Sequence, residues 1–385
     1  MRNRDMVIFF LFVFIIYFSV NSYIFIKGYR ALQDHFNLAL FSIIYITVAL
    51  TFIAGKILER THSSVLADIL NVVGGFWLAF MLYAFLLLLV SDIGIMAGRL
   101  SGIITAENLK IARFYSFTGT LIVASIIILA GFINSVNPVV KRYDLDITRE
   151  GLPTESARIV AISDIHLGSV VRKRSLRTLS RIIMDNNPNL IFFLGDMVDG
   201  EINPVLRDDL LGSLSLPLEG NETFAITGNH EFIGDAARTI PYIKERGLTL
   251  LMDEVAQLES GIQVVGRIDR DSYRFAGKKR KDLGELLSLT DPTLPVIVLD
   301  HQPPYKREEV TGEFDLMLSG HTHNGQMWPF SYIVKSLFRN SHGHTVDGRR
   351  NYIVSSGYGT WGPRVRIGSR SEVVVIDLLY SRSDR

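Results

Sequence analysis

Cysteine is absent from the chain. This excludes disulfides and every thiolate-ligated metal site, so a bound ion must be held by carboxylate, imidazole, amide or water. It does not fix a compartment, because reducing and oxidising locations both tolerate a chain without thiols. A dominant charge is missing too: 40 Lys and Arg stand against 39 Asp and Glu, for a formal net charge of +1. No global pull toward nucleic acid follows, none is expected as a partner, and any preference for a charged ligand must be local. The sequence also carries no internal repeat and no low-complexity tract.

What is present is unevenly spread. A length of 385 residues suffices for two domains or for one domain and a membrane region. Mean hydropathy is +0.25, high for a soluble protein, and the excess sits in the first third. Apolar stretches at residues 6–26, 38–54, 69–97 and 114–133 each approach the ~20 residues that cross a hydrocarbon core of ~30 Å. They read as a transmembrane region over residues 1–135 of about four helices, the second short and the third long enough to tilt. The first stretch follows Arg2 and Arg4 as a signal peptide would, but its apolar run is longer than about 7–15 residues and no convincing cleavage site follows Val20. It reads as an uncleaved anchor.

Orientation rests on a slight charge bias. With the N-terminus inside, Arg2, Arg4, Lys56, Arg60, Lys141, Arg142 and Arg149 fall on the cytoplasmic side, against Lys27, Arg30, Arg99, Lys110 and Arg113 opposite. The expectation is a multi-pass cell-membrane protein with a cytoplasmic C-terminal domain, and one miscounted span reverses it.

Residues 136–156 read as a linker carrying a first strand, and residues 157–380 as a layered α/β domain, a β-sheet sandwich flanked by helices. Strand-length apolar runs recur at 158–162, 190–194, 223–226, 263–265, 295–299, 316–318, 352–354 and 372–376. Helical spacing of Leu176, Leu179, Ile182 and Ile183 marks a helix over 173–184, and a second is expected over 235–245. Strand, helix, strand with polar motifs at strand ends places the motif loops on one rim.

Five such motifs follow in order. Ser163-Asp164-Ile165-His166-Leu167-Gly168 closes the first run, and its carboxylate and imidazole can turn toward one ion. Gly195-Asp196-Met197-Val198-Asp199 closes the second; Asp196 is suited to bridge two cations ~3.5–4 Å apart, and Asp199, one helical turn on, to orient an imidazole. Thr227-Gly228-Asn229-His230-Glu231 offers a neutral amide oxygen beside a histidine able to protonate a leaving group. His301 precedes Gln302-Pro303, and Gly320-His321-Thr322-His323-Asn324-Gly325-Gln326 ends the series. On an extended segment His321 and His323 point to opposite sides, so one can serve each metal. Any single piece occurs by chance in chains of this length; the ordered set carries the weight. His62, His342 and His344 do not fit the pattern, and His35 sits at a membrane interface.

The set resembles the calcineurin-like metallophosphoesterase family, and most of all its membrane-associated bacterial branch ending in G-H-T-H-x-G-Q. The resemblance covers residues 157–380. It implies Asp164, His166 and His323 on one metal, Asp196 bridging, and Asn229, His301 and His321 on the other. His230 would be the general acid, with Asp199 holding it. Two divalent ions (Mn, Fe or Zn) and in-line phosphoester or pyrophosphate hydrolysis without a covalent intermediate are implied with them. Asn324 departs from the branch, which commonly has Gly there, and adds a side chain at the rim.

Further features bear on substrate. Basic residues Arg172, Lys173, Arg174, Arg177 and Arg181 follow the first motif, as a solvated helix face or as phosphate contacts. A second basic run, 278–281, reads as solvated. Residues 328–338 mix apolar side chains with Lys335 and Arg339, the composition of a segment in a membrane interface or of a buried helix. A Gly- and aromatic-rich loop at 357–366 offers Arg364 and Arg366 as phosphoryl contacts. Together they point to the bilayer and to a phosphoester in a lipid or lipid-linked nucleotide such as UDP-2,3-diacylglucosamine, which relatives of this branch cleave. A broad-specificity phosphodiesterase or phosphatase, and a non-catalytic metal-dependent sensor module, are the other readings. The sequence does not fix the oligomeric state.

Overall fold

The computed structural model describes residues 3–149, 155–214 and 218–382. Arg2, counted above toward orientation, lies outside them. The chain divides into two units, Met1–Ile133 with Gly362–Val365, and Asn134–Trp361 with Arg366–Arg385.

The first unit contains α1 (Asn3–Leu32), α2 (Leu38–Thr61), α3 (Val65–Leu100) and α4 (Leu109–Val136), the last reaching past the division at Ile133. All four are long and apolar enough to cross a membrane. The second is not short: α2 continues past Ala54 to Thr61, because Gly55 lets it pack against the backbone of α3 at Leu70 and Asn71, where a Cβ would collide. Small residues at such crossings let helices meet through van der Waals contact where lipid offers no hydrophobic drive. Polar side chains add to this: Tyr45 Oη donates to the Asn21 carbonyl at 2.8 Å and Trp77 Nε1 to Asn21 Oδ1 at 3.1 Å. His62 caps α2, and His35 lies against Phe114.

Two six-stranded sheets make up the second unit. The strands are β1 (Val139–Arg149), β2 (Glu155–Ile162), β3 (Leu190–Phe193), β4 (Glu222–Ala225), β5 (Thr249–Leu250) and β6 (Glu254–Gln257). They continue with β7 (Gln263–Gly266), β8 (Val296–Leu299), β9 (Leu316–Ser319), β10 (Gly343–Asp347), β11 (Arg350–Val354) and β12 (Glu372–Arg382). One sheet runs β1-β12-β2-β3-β4-β5 and the other β10-β11-β9-β8-β7-β6. Within residues 136–156 the first strand is β1, which pairs with β12 along its whole length and buries Leu145 and Ile147.

Alternation along the strands builds three layers of core. Ile159 and Ala161 of β2 pack with Phe192 of β3 against Ile297, Leu299, Leu316 and Leu318 of the facing sheet. Val160, Ile162, Ile191 and Phe193 turn the other way, onto Leu176, Leu179 and Ile183 of α5 (Lys173–Asn186). On the far side, Val296, Val298 and Met317 meet Leu283 and Leu286. Because β2, β3 and β4 are parallel, as are β8 and β9, the loops after all five strands emerge on the C-terminal edges, where the motifs lie.

Candidate metal centre

Three of the five motif loops leave their strands through left-handed turns. Asp164, His166, Asp196, His321 and His323 all have positive φ, between 47° and 67°. Such conformations cost ~1–3 kcal/mol each when they hold a non-glycine residue, and they persist only where the surroundings enforce them. Here the surroundings are backbone: His321 N–H donates to Asp164 Oδ2 at 3.0 Å, and His230 N–H to Asp196 Oδ1 at 2.8 Å. Gly228 has no side chain because Asp196 occupies the space that a Cβ would need.

The structure brings seven donor groups together. Asp164 Oδ1 lies 3.8 Å from His166 Nε2 and 3.4 Å from His323 Nε2, and the two imidazole nitrogens are 3.0 Å apart. Alongside, Asn229 Oδ1 lies 3.2 Å from His301 Nε2 and 2.9 Å from His321 Nδ1. Asp196 Oδ2 faces both groups, 3.8 Å from His166 Nε2 and 3.2 Å from His301 Nε2. His321 and His323 do serve different groups, but not because the segment is extended: both sit in a tight left-handed turn, with a 3-10 turn at His323–Gly325. Asn324 has φ 48°, a left-handed conformation that Gly adopts freely and that Asn tolerates best after it.

These donors fit cations. His301 Nδ1 is 2.7 Å from the Leu194 carbonyl oxygen, which can only accept, so Nδ1 carries the proton. The lone pair of Nε2 then faces a carboxylate oxygen and an amide oxygen, an arrangement of acceptors that only a proton or a cation among them offsets. Most of the spacings, 2.9–3.4 Å, match two ligands ~2.0–2.1 Å from one ion, which stand about 3.0–3.4 Å apart, and the two from His166 Nε2 to carboxylate oxygens are longer, at 3.8 Å.

Electrostatics without a cation carry the same message. Burial opposes charge on His301, but Asp196 outweighs it and holds the imidazole well above its ordinary range. Burial likewise opposes charge on His166, and Asp164 and Asp199 raise it to about 10. Burial and then His301 push His321 down to about 4, and burial leads in keeping His323 well below the usual range. The buried carboxylates thus raise the proton affinity of two imidazoles, and a cation held by the same donors would compete with those protons.

Asp199 is not a helical turn beyond Asp196, because residues 194–199 form no helix. Its Oδ1 lies between two imidazoles, 3.3 Å from His166 Nδ1 and 3.2 Å from His230 Nδ1. It therefore faces a donor-group histidine as well as His230, whose side chain remains 20% exposed. Burial acts against charge on His230, and Asp196 with Asp199 raises its affinity for a proton.

Two residues that sequence reasoning missed or misread hold the loops. Glu231 is fully buried and accepts four backbone N–H groups, from Gly228, Asp196, Met197 and Val198, at 2.7–3.1 Å. Its place directly after His230 was the only available signal. Arg366 is no phosphoryl contact: it is wholly buried, donating to the Ser356 and Gly359 carbonyls at 2.7 Å, with Nη2 3.0 Å from His323 Nδ1. The Gly-rich loop wraps the guanidinium because its unpaired carbonyls need donors. Arg364 belongs to the segment Gly362–Val365, which groups with the helices. Arg172 pairs with Asp208, and Arg174 is exposed on α5 with no described hydrogen bond to the cluster. The run 278–281 is not simply solvated: Arg280 and Arg267 both bind the buried Asp300, which precedes His301. His342 pairs with Glu372, and His344 is exposed beside Asn351.

The family description Calcineurin-like phosphoesterase matches residues 157–325. An uncharacterized metallophosphoesterase of Aquifex aeolicus is 31% identical over 242 residues, 62% of this chain and 91% of that protein. One from Campylobacter jejuni is 29% identical over 270 residues, covering 68% of this chain and 69% of its own. A transmembrane protein with metallophosphoesterase domain from Danio rerio is 28% identical over 275 residues, 67% of this chain and 61% of that protein. The chain belongs to the calcineurin-like phosphoesterase family.

Proposed function

We propose that the chain is a membrane-anchored phosphoester hydrolase working with two divalent cations. The single observation that carries this is Asp196 Oδ2, one carboxylate oxygen facing His166 Nε2 at 3.8 Å and His301 Nε2 at 3.2 Å. Asp164, His166 and His323 would hold one ion, Asn229, His301 and His321 the other, with Asp196 shared. When bound, such a pair supplies Lewis acidity at the phosphoryl oxygens and an activated water. His230, presented at the edge of the cluster and held by Asp199, gives its Nε2 proton to the leaving oxygen. Imidazole and oxygen donors suit Mn, Fe or Zn.

The substrate we favour is amphiphilic: a phosphodiester or pyrophosphate in a lipid or lipid-linked nucleotide, for which UDP-2,3-diacylglucosamine is one example. Support comes from the helix Phe330–Leu337, which follows the last histidine motif and buries none of its residues. Tyr332 and Ile333 are exposed, and Phe338, just beyond, lies against the His321 ring. An apolar helix face left to water beside a site is suited to an interface.

Hydrolysis of bis-p-nitrophenyl phosphate by the full chain in detergent, with and without Mn²⁺, tests the chemistry. Metal-dependent turnover that falls at least about 10³-fold in Asp196→Asn supports it; metal-independent turnover, or an unimpaired variant, contradicts it. For the substrate, Tyr332→Ser/Ile333→Ser should lower activity on a phospholipid in mixed micelles while sparing the soluble diester. Equal rates on both would remove the amphiphilic reading, and folded, metal-loaded protein inert on both would favour a binding module.

A further inference from the structure

The helices of the first unit enclose a cavity of their own, between α1, α3 and α4, at the edge where α1 and α3 end and α4 begins. Lys27, Arg30, Arg99 and Arg113 line it, with Asp92 the one carboxylate among them. That carboxylate is already occupied: Lys27 Nζ reaches one of its oxygens at 2.5 Å and Tyr23 Oη donates to the other at 2.7 Å. Among the described residues, Arg30, Arg99 and Arg113 have no acidic partner. Three arginines from three helices therefore line one cavity, and no described ion pair joins any of them to an acidic side chain.

Basic residues at helix ends are common as interfacial anchors, and anchoring alone asks only that each reach water. Convergence costs mutual repulsion, which an anion between them removes. Arg30 lies two residues and Arg99 one residue from the ends of their helices, which is headgroup depth at 1.5 Å per residue. The cavity measures about 100 Å³, against the ~10–15 Å³ that hold one water. That is room for a phosphoryl group and not for a nucleoside. Leu88, Ile95 and Phe117 complete its wall, and the exposed apolar residues Ile93, Met96, Ile111 and Tyr115 on α3 and α4 offer a surface for acyl chains.

We propose that this cavity binds a phosphoryl anion, delivered by an anionic lipid headgroup or as free phosphate, at a site separate from the metal centre. The guanidinium groups form charge-assisted hydrogen bonds to its oxygens, and the Lys27–Asp92 pair fixes the wall opposite.

The test uses the full chain in detergent and reads its thermal midpoint during titration with phosphatidylglycerol, with phosphatidylcholine and with inorganic phosphate. Arg30→Gln/Arg99→Gln removes two exposed cations that have no described ion pair. It should weaken phosphatidylglycerol at least about tenfold, as expected for two cations near an anionic headgroup. Arg30→Lys/Arg99→Lys keeps the charge and should keep the affinity, which separates charge from damage to the fold. Lys110→Gln, at the same edge but paired with Asp34 and outside the cavity, should behave as the native chain does. A response to inorganic phosphate alone, lost in the Gln variant, names free phosphate as the source. Equal affinity of the Gln variant and the native chain for both ligands would overturn the proposal. So would a native chain that prefers neither phosphatidylglycerol nor phosphate to phosphatidylcholine.

Discussion

Glu231 Oε2 accepts the backbone N–H of Asp196 at 2.9 Å. One buried carboxylate thereby fixes the loop that carries the shared oxygen, and the same atom takes the Gly228 N–H that opens the next loop. Burial and the nearby Asp196 charge push its carboxyl above the ordinary range, against the pull of its backbone donors. Glu231→Gln turns an amide N–H toward at least one of those donors. It should cost about 1–3 kcal/mol of stability and weaken metal binding about 10–100-fold, read by thermal unfolding and metal titration.

The proposed role of His230 as proton donor to the leaving group makes the effect of its loss depend on what leaves. In His230→Asn, kcat should fall about 10²–10⁴-fold for an alkyl ester and far less for a p-nitrophenyl ester, whose phenolate leaves without a proton. Equal losses on both esters would assign His230 to metal placement instead.

Arg366 is a buried cation whose partners are backbone carbonyls and the His323 ring. Arg366→Met leaves those acceptors unpaired and should destabilise the domain by about 3 kcal/mol. Chemical denaturation of the full chain checks this; loss of activity at native stability would revive a substrate role.

Glu372 sets an acid limit. Burial raises its carboxyl, but His342 and the Ser356 N–H outweigh that and hold it below its ordinary value of 4.5. A depressed carboxyl stabilises fully above the unfolded value, and the contribution is lost as pH falls through the folded one. The stability gap between the native chain and Glu372→Gln should close as pH falls below ~4.5, followed by thermal midpoint against pH.

Much of this was legible in the sequence because it is local. An apolar run followed within a few residues by Asp, Asn or His in a polar motif announces a strand and its functional end, and strands β2, β3, β4, β8 and β9 follow that pattern. The seven donors were visible for the same reason. What escaped depends on partners far along the chain. Arg366 looks exposed in a Gly-rich run, and nothing local tells that the run folds around it. Strands β6 and β10 lack apolar alternation because they are sheet edges with mostly exposed side chains. The left-handed turn at Asp164 and His166 contains no glycine to betray it.

The most direct measurement is elemental analysis of the purified full chain, paired with turnover of bis-p-nitrophenyl phosphate, before and after Asp196→Asn. The account predicts two divalent ions per native chain, fewer than two in the variant, and turnover that falls with them. One ion or none in a fully active native chain, or two retained by an active variant, would contradict it.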